Sequence, residues 1–220
     1  MGIEKLLICG LVLALPLVVS AGQRFAAQRV HVADREELPF FPEGRALTEL
    51  SLGHRHLVAD IGWLTAIQYY GKHRQSDRHY PLAPRLFDVI TDADPQFRSA
   101  YLFGALILGE AAELEAAEAL LRKGVRENPL SWWLRFELGF FHHTYTQRWA
   151  EALEAFRQAA LLPGAPEYVV RFAAAAGERA GSLRLAAELW AAIARESENE
   201  EVRRIARERL AALGVEARTP

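Results

Sequence analysis

Three prolines recur at one fixed spacing in this 220-residue chain, and no other feature limits its possible folds as strongly. Pro95, Pro129 and Pro163 follow one another at intervals of 34 residues, and each comes after a stretch with helical patterning. An internal repeat of this length is typical of stacked helix–turn–helix units, because one unit alone cannot bury its apolar face. The sequence therefore predicts an array of helical hairpins, with a proline at the turn that follows each hairpin.

Small and large side chains repeat in step with the prolines. Small residues let paired helices approach closely, and large ones fill the space between successive pairs. The residues that carry this pattern are Ala83, Phe87, Ile90, Tyr101, Gly104, Ala105, Leu108, Ala117, Leu121, Gly124, Leu138, Gly139, Ala152, Phe156, Ala159, Ala186 and Trp190. The unit that contains Gly139 and Ala152 is one residue out of step with Pro163, so a turn there must absorb the slip.

This pattern resembles the tetratricopeptide repeat (TPR) family, specifically bacterial members with an N-terminal membrane segment. The resemblance covers residues 46–213. It implies an all-α, TPR-like α-solenoid of about four helix hairpins. A C-terminal capping helix follows, where Val202, Ile205, Ala206 and Leu210 form one apolar stripe among Glu and Arg residues. No segment alternates with period two for long, so we expect no sheet. Residues 214–220 are interpreted as a tail.

The N-terminal segment 1–22 is interpreted as a signal anchor that forms a transmembrane helix. Its Leu6–Ala21 stretch carries no charge, and as a helix it would span about 24 Å, against about 30 Å for a bilayer core. Two other interpretations stay open. Val19-Ser20-Ala21 offers small residues for cleavage of a secretory signal, and an apolar run could also be a buried helix.

Residues 23–45 are interpreted as a linker between the anchor and the repeats. Within it, Pro39 and Pro42 bracket Phe40 and Phe41. This PFFP segment either docks on the first helix as a lid over apolar surface or belongs to a mobile tether. Basic residues flank the apolar stretch on both sides, so the positive-inside rule does not decide orientation. We expect a single-pass protein of the bacterial inner membrane, with the repeats in the periplasm.

Composition excludes several classes of function. Hydrophobic residues make up 51% and charged residues 25%, which allows a large core. The net charge of −2, from 26 basic and 28 acidic residues, does not suit a protein that coats nucleic acid. One cysteine cannot provide a disulfide framework, a Cys-based zinc site or covalent haem attachment. We therefore expect no nucleic-acid partner and no cofactor.

An aromatic stretch over 132–145 holds the candidate protein-binding residues. Leu134, Leu138, Phe141 and Tyr145 form one helical stripe, which we expect in the core. Trp133, Glu137, Phe140 and Thr144 form another stripe. In TPR proteins the first helix of each hairpin lines a concave groove, so the resemblance implies that this second stripe could anchor a partner helix or peptide. The competing interpretation packs every one of these side chains between helices.

A basic segment, Gly71–Tyr80, is predicted to form a long loop after the first helix. Lys72, Arg74 and Arg78 make it a candidate contact for lipid phosphates or an acidic partner, although a solvated polar loop is the simpler interpretation. Asp60 lies among apolar residues and is predicted to be buried, with Arg55, Arg85 or a ligand as its charge partner. His56, four residues earlier, is expected to orient it through a hydrogen bond.

No catalytic motif is found, so we expect no enzyme. Adjacent histidines such as His142 and His143 point apart on a helix and cannot chelate one ion, so no metal site is predicted. The leading hypothesis is a membrane-tethered scaffold that binds other proteins as an accessory or assembly subunit of a bacterial envelope complex. The alternatives are a secreted periplasmic TPR module and, from another class, a metal or haem protein that uses His142 or His143.

Overall fold

The structure is a computed structural model that describes residues 53–214. Contacts divide the chain into two units, Met1–Pro42 and Glu43–Pro220, and every described residue lies in the second unit. The predicted anchor over 1–22 and linker over 23–45, with its PFFP segment, therefore lie outside the described residues. So does the predicted tail, apart from Gly214.

Residues 53–214 fold into helices, and no strand occurs in that range. The predicted all-α class is confirmed there. In chain order the helices are α1 (Arg55–Arg74), α2 (Ala83–Ala93), α3 (Arg98–Glu110), α4 (Leu114–Glu127), α5 (Trp132–Phe141), a π-helical turn (His142–Thr146), α6 (Trp149–Ala160), α7 (Tyr168–Arg179), α8 (Leu183–Glu196) and α9 (Glu200–Ala212). None of these helices is both long and apolar enough to cross a membrane.

Each helix packs against the helices that precede and follow it in the chain. Further contacts join α2 with α4 and α3 with α5. Apolar clusters follow the same order, since one joins α5, α6 and α7 and another joins α7, α8 and α9. Such neighbour-to-neighbour burial is what a helical repeat requires, because each pair of helices covers the apolar face of the next pair.

The periodic prolines lie where the repeat predicts them, directly after α2, α4 and α6. Hydrogen bonds join the turn at Pro95 to the turn at Pro129. The side-chain amide of Asn128 donates to the carbonyl oxygen of Pro95 at 2.8 Å and to that of Gly124 at 3.2 Å. The hydroxyl of Tyr101 also donates to the Pro95 carbonyl, at 3.2 Å. The buried Asn128 thus connects the end of α4 to the turn one repeat earlier.

The predicted glycines lie at close approaches between helices. A Cβ atom placed on Gly104 would lie 2.5 Å from Leu120 Cδ2 and 2.6 Å from Phe87 Cγ. A Cβ on Gly139 would lie 2.8 Å from the Phe156 ring. These distances are shorter than van der Waals contact, so glycine is what allows the helices to pack at this separation.

A π-helical turn, His142–Thr146, continues the α5 segment. A π turn closes its hydrogen bonds over five residues rather than four, so it adds one residue to the helix that contains it. Here the amide of Gln147 donates to the carbonyl of His142, and Gln147 ends the turn in the left-handed region, with φ of +54°. The predicted slip does not arise at this turn, because Gly139 and Ala152 are 13 residues apart, as are Gly104 and Ala117. The extra residue lies between Pro129 and Gly139, and the turn before Pro163 absorbs it.

The C-terminal helix α9 seals one apolar face. Val202, Ala206 and Leu210 are buried in the cluster that includes Trp190 of α8, whereas most of its charged residues face solvent. Asn199 caps the helix, since its side-chain oxygen accepts from the backbone amides of Glu201 and Val202. The predicted capping stripe is thereby present in the packing.

Two predictions about α1 are wrong. The helix continues to Arg74, so the first residues of the predicted Gly71–Tyr80 loop are helical. The basic residues of this stretch stabilise the last turn of α1, because positive charge interacts favourably with the C-terminal end of a helix. Asp60 is exposed rather than buried, because the face of α1 that packs on its neighbours is the narrow one of Ala59, Gly62 and Ala66. His56 makes its hydrogen bond with Asp94, at 3.2 Å, and not with Asp60.

Candidate functional site

The second predicted stripe of α5 reaches solvent. We call Trp133, Glu137, Phe140 and Thr144 the α5 surface. Trp133 is 43% exposed and Phe140 is 38% exposed, Thr144 is exposed in the π turn, and Glu137 is half-buried. The four side chains thus remain accessible.

The predicted core stripe of the same helix is mostly buried. Leu134 and Phe141 are buried and Leu138 is half-buried. Tyr145 is the exception, because its side chain is exposed. Its ring stacks on Phe141 at a centroid separation of 5.4 Å and covers Gly109 of α3, where a Cβ would lie 2.9 Å from Tyr145 Cζ. Tyr145 therefore packs on α3 with part of its ring toward water.

Glu137 and Trp133 form a polar pair at the centre of the α5 surface. The indole nitrogen of Trp133 donates to Glu137 Oε1 at 3.1 Å. Burial raises the pKa of the Glu137 carboxyl, and the hydrogen bond from Trp133 opposes that rise only in part. A cation that approached this carboxylate would meet a charge that water solvates poorly.

Rings beneath the α5 surface hold Phe140 in place. Phe140 stacks on Phe136 with centroids 6.2 Å apart and meets Phe172 of α7 edge-on at 6.3 Å. Phe136 in turn contacts Phe156 and Phe172, with centroid separations of 5.2 and 5.1 Å. Aromatic pairs of this geometry each contribute about 0.5–1.5 kcal/mol beyond the area that they bury. Phe140 is therefore an exposed ring on a rigid aromatic base.

Most of the exposed large apolar side chains of residues 53–214 lie on α1, α3, α5 and the π turn. Each of these helices is the first of a predicted hairpin. The residues are Leu57, Ile61, Leu64 and Ile67 on α1, Leu106 on α3, Trp133 and Phe140 on α5, and Tyr145. Leu130, Leu161 and Leu183 are the exceptions. The concentration on one class of helix is what an interaction face would produce.

The basic residues at the end of α1 divide into two groups. Arg74 and Arg78 line a cavity of about 230 Å³ together with Tyr80 and Glu110, and we call it the Tyr80 pocket. Lys72 is exposed and does not line that pocket. Two of the three predicted cations therefore share one site with two residues that sequence patterning did not single out.

Hydrogen bonds within the Tyr80 pocket leave donors unused. Arg74 donates to the hydroxyl of Tyr70, and that hydroxyl donates to Glu110 Oε2 at 3.0 Å. Arg74 also reaches Glu110 Oε1 at 3.4 Å. Tyr80 is only 3% exposed, and its hydroxyl has no hydrogen-bond partner among residues 53–214. Burial raises the pKa of that hydroxyl, so at neutral pH it carries its proton and can donate.

A third cluster joins α4, α6 and the π turn. His142 is 1% exposed, and its Nε2 lies 3.5 Å from Glu151 Oε2. Ligand atoms of Glu118, His142 and Glu151 lie within 4.8 Å of one another, which is a separation that a metal ion could bridge. Desolvation lowers the pKa of His142, and the positive charge of Arg148 lowers it further.

Two arginines already neutralise this cluster. Arg148 donates to both Glu118 and Glu151, and Arg122 donates to Glu118 at 2.7 Å and to Glu151 at 3.2 Å. These cations would repel a metal ion, and they occupy the carboxylate oxygens that it would need. The donor set therefore fits an ion-pair network between helices better than the metal or haem site considered for His142.

Sequence reasoning missed Tyr80 and Glu110 and the interhelical part of the ion-pair network. The spacing of Glu118 and Arg122 at i,i+4 is a local signal for an ion pair. No local signal connects either residue with Arg148, which is 30 residues from Glu118.

No family model matches the chain, and no curated protein matches it significantly in sequence.

Proposed function

We propose that this protein is a membrane-tethered TPR scaffold that binds segments of other proteins. Its hairpins form an α-solenoid, and residues 1–22 anchor it as a single-pass helix in the bacterial inner membrane. The repeats face the periplasm, where the protein serves as an accessory or assembly subunit of a cell-envelope complex. It binds partners and does not catalyse a reaction.

The α5 surface is the observation that carries this proposal. Tryptophan and other aromatic residues are enriched in the fully buried centres of interfaces. Trp133 and Phe140 keep large parts of their rings in water although α5 is otherwise packed. Because Phe140 is already fixed by Phe136 and Phe172, binding through it would cost little side-chain entropy. Exposed rings of this kind favour a docking face over a structural role.

The order of helix contacts supports the solenoid part of the proposal. Each helix packs mainly on its neighbours in the chain, and the Asn128 hydrogen bond to Pro95 joins the turns of two successive repeats. The first helices of successive hairpins carry most of the exposed apolar side chains. In stacked hairpins the corresponding helices share one side of the stack, so their exposed residues would make one extended binding face.

The chemistry of the α5 surface indicates the kind of segment that it binds. The two rings would take apolar side chains, and the poorly solvated Glu137 carboxylate beside them would pair with a basic side chain. A helix with apolar residues at i, i+3 or i+4 and a Lys or Arg on the same face satisfies both requirements. We therefore expect a partner with a basic amphipathic segment.

Quantitative capture from detergent-solubilised membranes of the source cells tests the proposal. The full-length chain is compared with the double variant Trp133→Ala/Phe140→Ala and with a control, Leu130→Ala/Leu161→Ala. The control removes two exposed apolar side chains that lie in turns, away from α5. Urea midpoints establish that all three proteins fold. We expect a defined set of membrane proteins with the wild type and the control, and its loss with the double variant.

Two results would contradict the proposal. Retention of the same partners by the Trp133→Ala/Phe140→Ala protein would remove the α5 surface from binding. Equal loss in the control would mean that capture reflects general stickiness of exposed leucine and aromatic residues. The captured contact segment, identified by cross-linking, should be apolar and basic, and an acidic segment would contradict the role given to Glu137.

The tether is tested separately from binding. The anchor predicts that mature protein in the cells keeps its first residues and stays with the membrane fraction after a high-salt wash. A mature N-terminus at Gly22, with the protein in the soluble fraction, would instead establish the secreted module. Either result leaves the α5 surface to be judged by the capture experiment alone.

A further inference from the structure

The Tyr80 pocket holds unused hydrogen-bond donors. Among the described residues, the guanidinium of Arg78 makes no side-chain hydrogen bond and no ion pair, and the buried hydroxyl of Tyr80 has no partner. The backbone amide of Arg78 donates to the carbonyl of His73 at 2.8 Å, which fixes the turn that carries the guanidinium. A buried hydroxyl without a partner costs about 1–3 kcal/mol, so its position here calls for a ligand.

The acceptors of the pocket are already used within the protein. Glu110 accepts from Tyr70 at 3.0 Å and lies 3.4 Å from Arg74. The hydroxyl oxygen of Tyr70 accepts from Arg74. What remains for a ligand is a set of donors, namely Arg78, Tyr80 and the remaining N–H groups of Arg74. Two arginines and one glutamate also leave one net positive charge. A ligand that matches such a set offers only acceptors and carries negative charge.

We propose that the Tyr80 pocket binds a phosphate group, held by Arg74, Arg78 and Tyr80. Guanidinium groups bind phosphate oxygens in a bidentate fork, and a tyrosine hydroxyl can donate to a third oxygen. A tetrahedral phosphate presents oxygens to donors on several sides, whereas a planar carboxylate presents two oxygens in one plane. The volume of about 230 Å³ exceeds the roughly 30 Å³ occupied by a water molecule several times over. It thus has room for a phosphate and part of the group that it esterifies.

Soluble probes can test the site with the full-length chain in a nonionic detergent. Calorimetric titrations use inorganic phosphate, glycerol 3-phosphate and glycerophosphoglycerol, which represent the free anion, a monoester and a lipid headgroup diester. Acetate and a glutamate-rich peptide provide the carboxylate comparison. We expect at least one phosphate compound to bind about tenfold or more tightly than acetate. Preference for the diester would identify a lipid headgroup as the source, and preference for the other two would identify a soluble phosphate.

Three variants separate the pocket from a diffuse basic surface. Arg78→Gln and Tyr80→Phe should each weaken phosphate binding by about tenfold or more, because each loses a hydrogen bond to a charged group. Lys72→Gln is the matched control, since this cation lies on the same end of α1 but does not line the pocket. Its affinity should stay within about twofold of the wild type.

Tyr80→Phe also distinguishes binding from folding. The hydroxyl makes no hydrogen bond within the described part of the chain, so its removal should leave the urea midpoint unchanged or slightly higher while phosphate affinity falls. Phosphate binding no stronger than acetate binding would overturn the proposal. Equal losses of phosphate affinity in Lys72→Gln and Arg78→Gln would also overturn it, as would unchanged phosphate affinity in Tyr80→Phe. Tighter binding of the acidic peptide than of every phosphate compound would have the same consequence.

Discussion

Replacing Gly104 by alanine tests whether close helix packing depends on the small residues of the repeat. In an exposed helix interior this change is favourable, because alanine has a higher helix propensity than glycine by about 1 kcal/mol. Gly104 is not exposed, since its position faces Phe87 of α2 and Leu120 of α4. The gain in helix propensity and the loss from overpacking therefore have opposite effects on stability.

The distances from the new Cβ to its neighbours show that the packing loss is the larger effect. The new Cβ would lie 2.5 Å from Leu120 Cδ2 and 2.6 Å from Phe87 Cγ, whereas carbon atoms pack at about 3.5–4.0 Å. The neighbours must therefore move by about 1 Å. Leu120 can rotate, but Phe87 Cγ lies at the base of a buried ring and moves only with its helix. Overpacking of this kind costs about 1–3 kcal/mol. We expect the packing loss to fall in the upper half of this range, because the displaced Phe87 atom is fixed to its helix. After the gain of about 1 kcal/mol in helix propensity is subtracted, the Gly104→Ala protein should be less stable than the wild type by about 1–2 kcal/mol.

Gly71 of α1 supplies the matched control. It is helical, and a Cβ there would meet no atom within 4 Å. Gly71→Ala should therefore gain stability by about 0.5–1 kcal/mol. The assay is urea unfolding of both full-length variants, followed by far-ultraviolet circular dichroism. The two midpoints should move in opposite directions. If Gly104→Ala raised the midpoint as much as Gly71→Ala, the close approach of α2, α3 and α4 would be refuted.

Two further predictions concern buried polar groups. Burial holds the pKa of His142 below its ordinary value of about 6.5. The folded protein then binds fewer protons than the unfolded chain, and the free energy of unfolding falls as the pH drops below about 6.5. Urea midpoints from pH 8 to pH 5 should show this slope and a smaller one in His142→Gln; equal slopes would contradict it. Asn128→Asp should lose about 2–3 kcal/mol, because a buried carboxylate would face the carbonyls of Pro95 and Gly124. Asn199→Asp should be neutral, because Asn199 caps α9 through its oxygen, and equal losses in the two variants would rule out the donor role of Asn128.

The helices and much of their packing follow from sequence, because the signals that determine them are local and repeated. The prolines locate the ends of α2, α4 and α6, and the small residues locate the crossings such as that of Gly139 with Phe156. A repeat supplies the same information several times, so an error at one unit is corrected at the next. The exposed stripe with Trp133 and Phe140 also follows from helical spacing within one element.

The predictions about Asp60 and the basic loop were wrong for a different reason. Which face of a helix is buried depends on how many elements pack against it, and spacing along α1 does not reveal that number. The apolar neighbours of Asp60, such as Ile61 and Leu64, are themselves exposed, so the apolar context carried no information about its burial. Tyr80 escaped notice because the pocket that it lines with Glu110 forms only where the end of α1 meets α3.

The π turn at the end of α5 sets the orientation of several candidate functional residues. The wider turn at His142–Thr146 rotates the end of the α5 segment relative to its start. After that rotation His142 points inward to Glu151, while Thr144 and Tyr145 remain at the surface. An unbroken α-helix would put the later residues in a different register against α3 and α6. The π turn thus determines both a buried ion-pair network and one end of the proposed binding surface, in keeping with the frequent occurrence of π turns at functional sites.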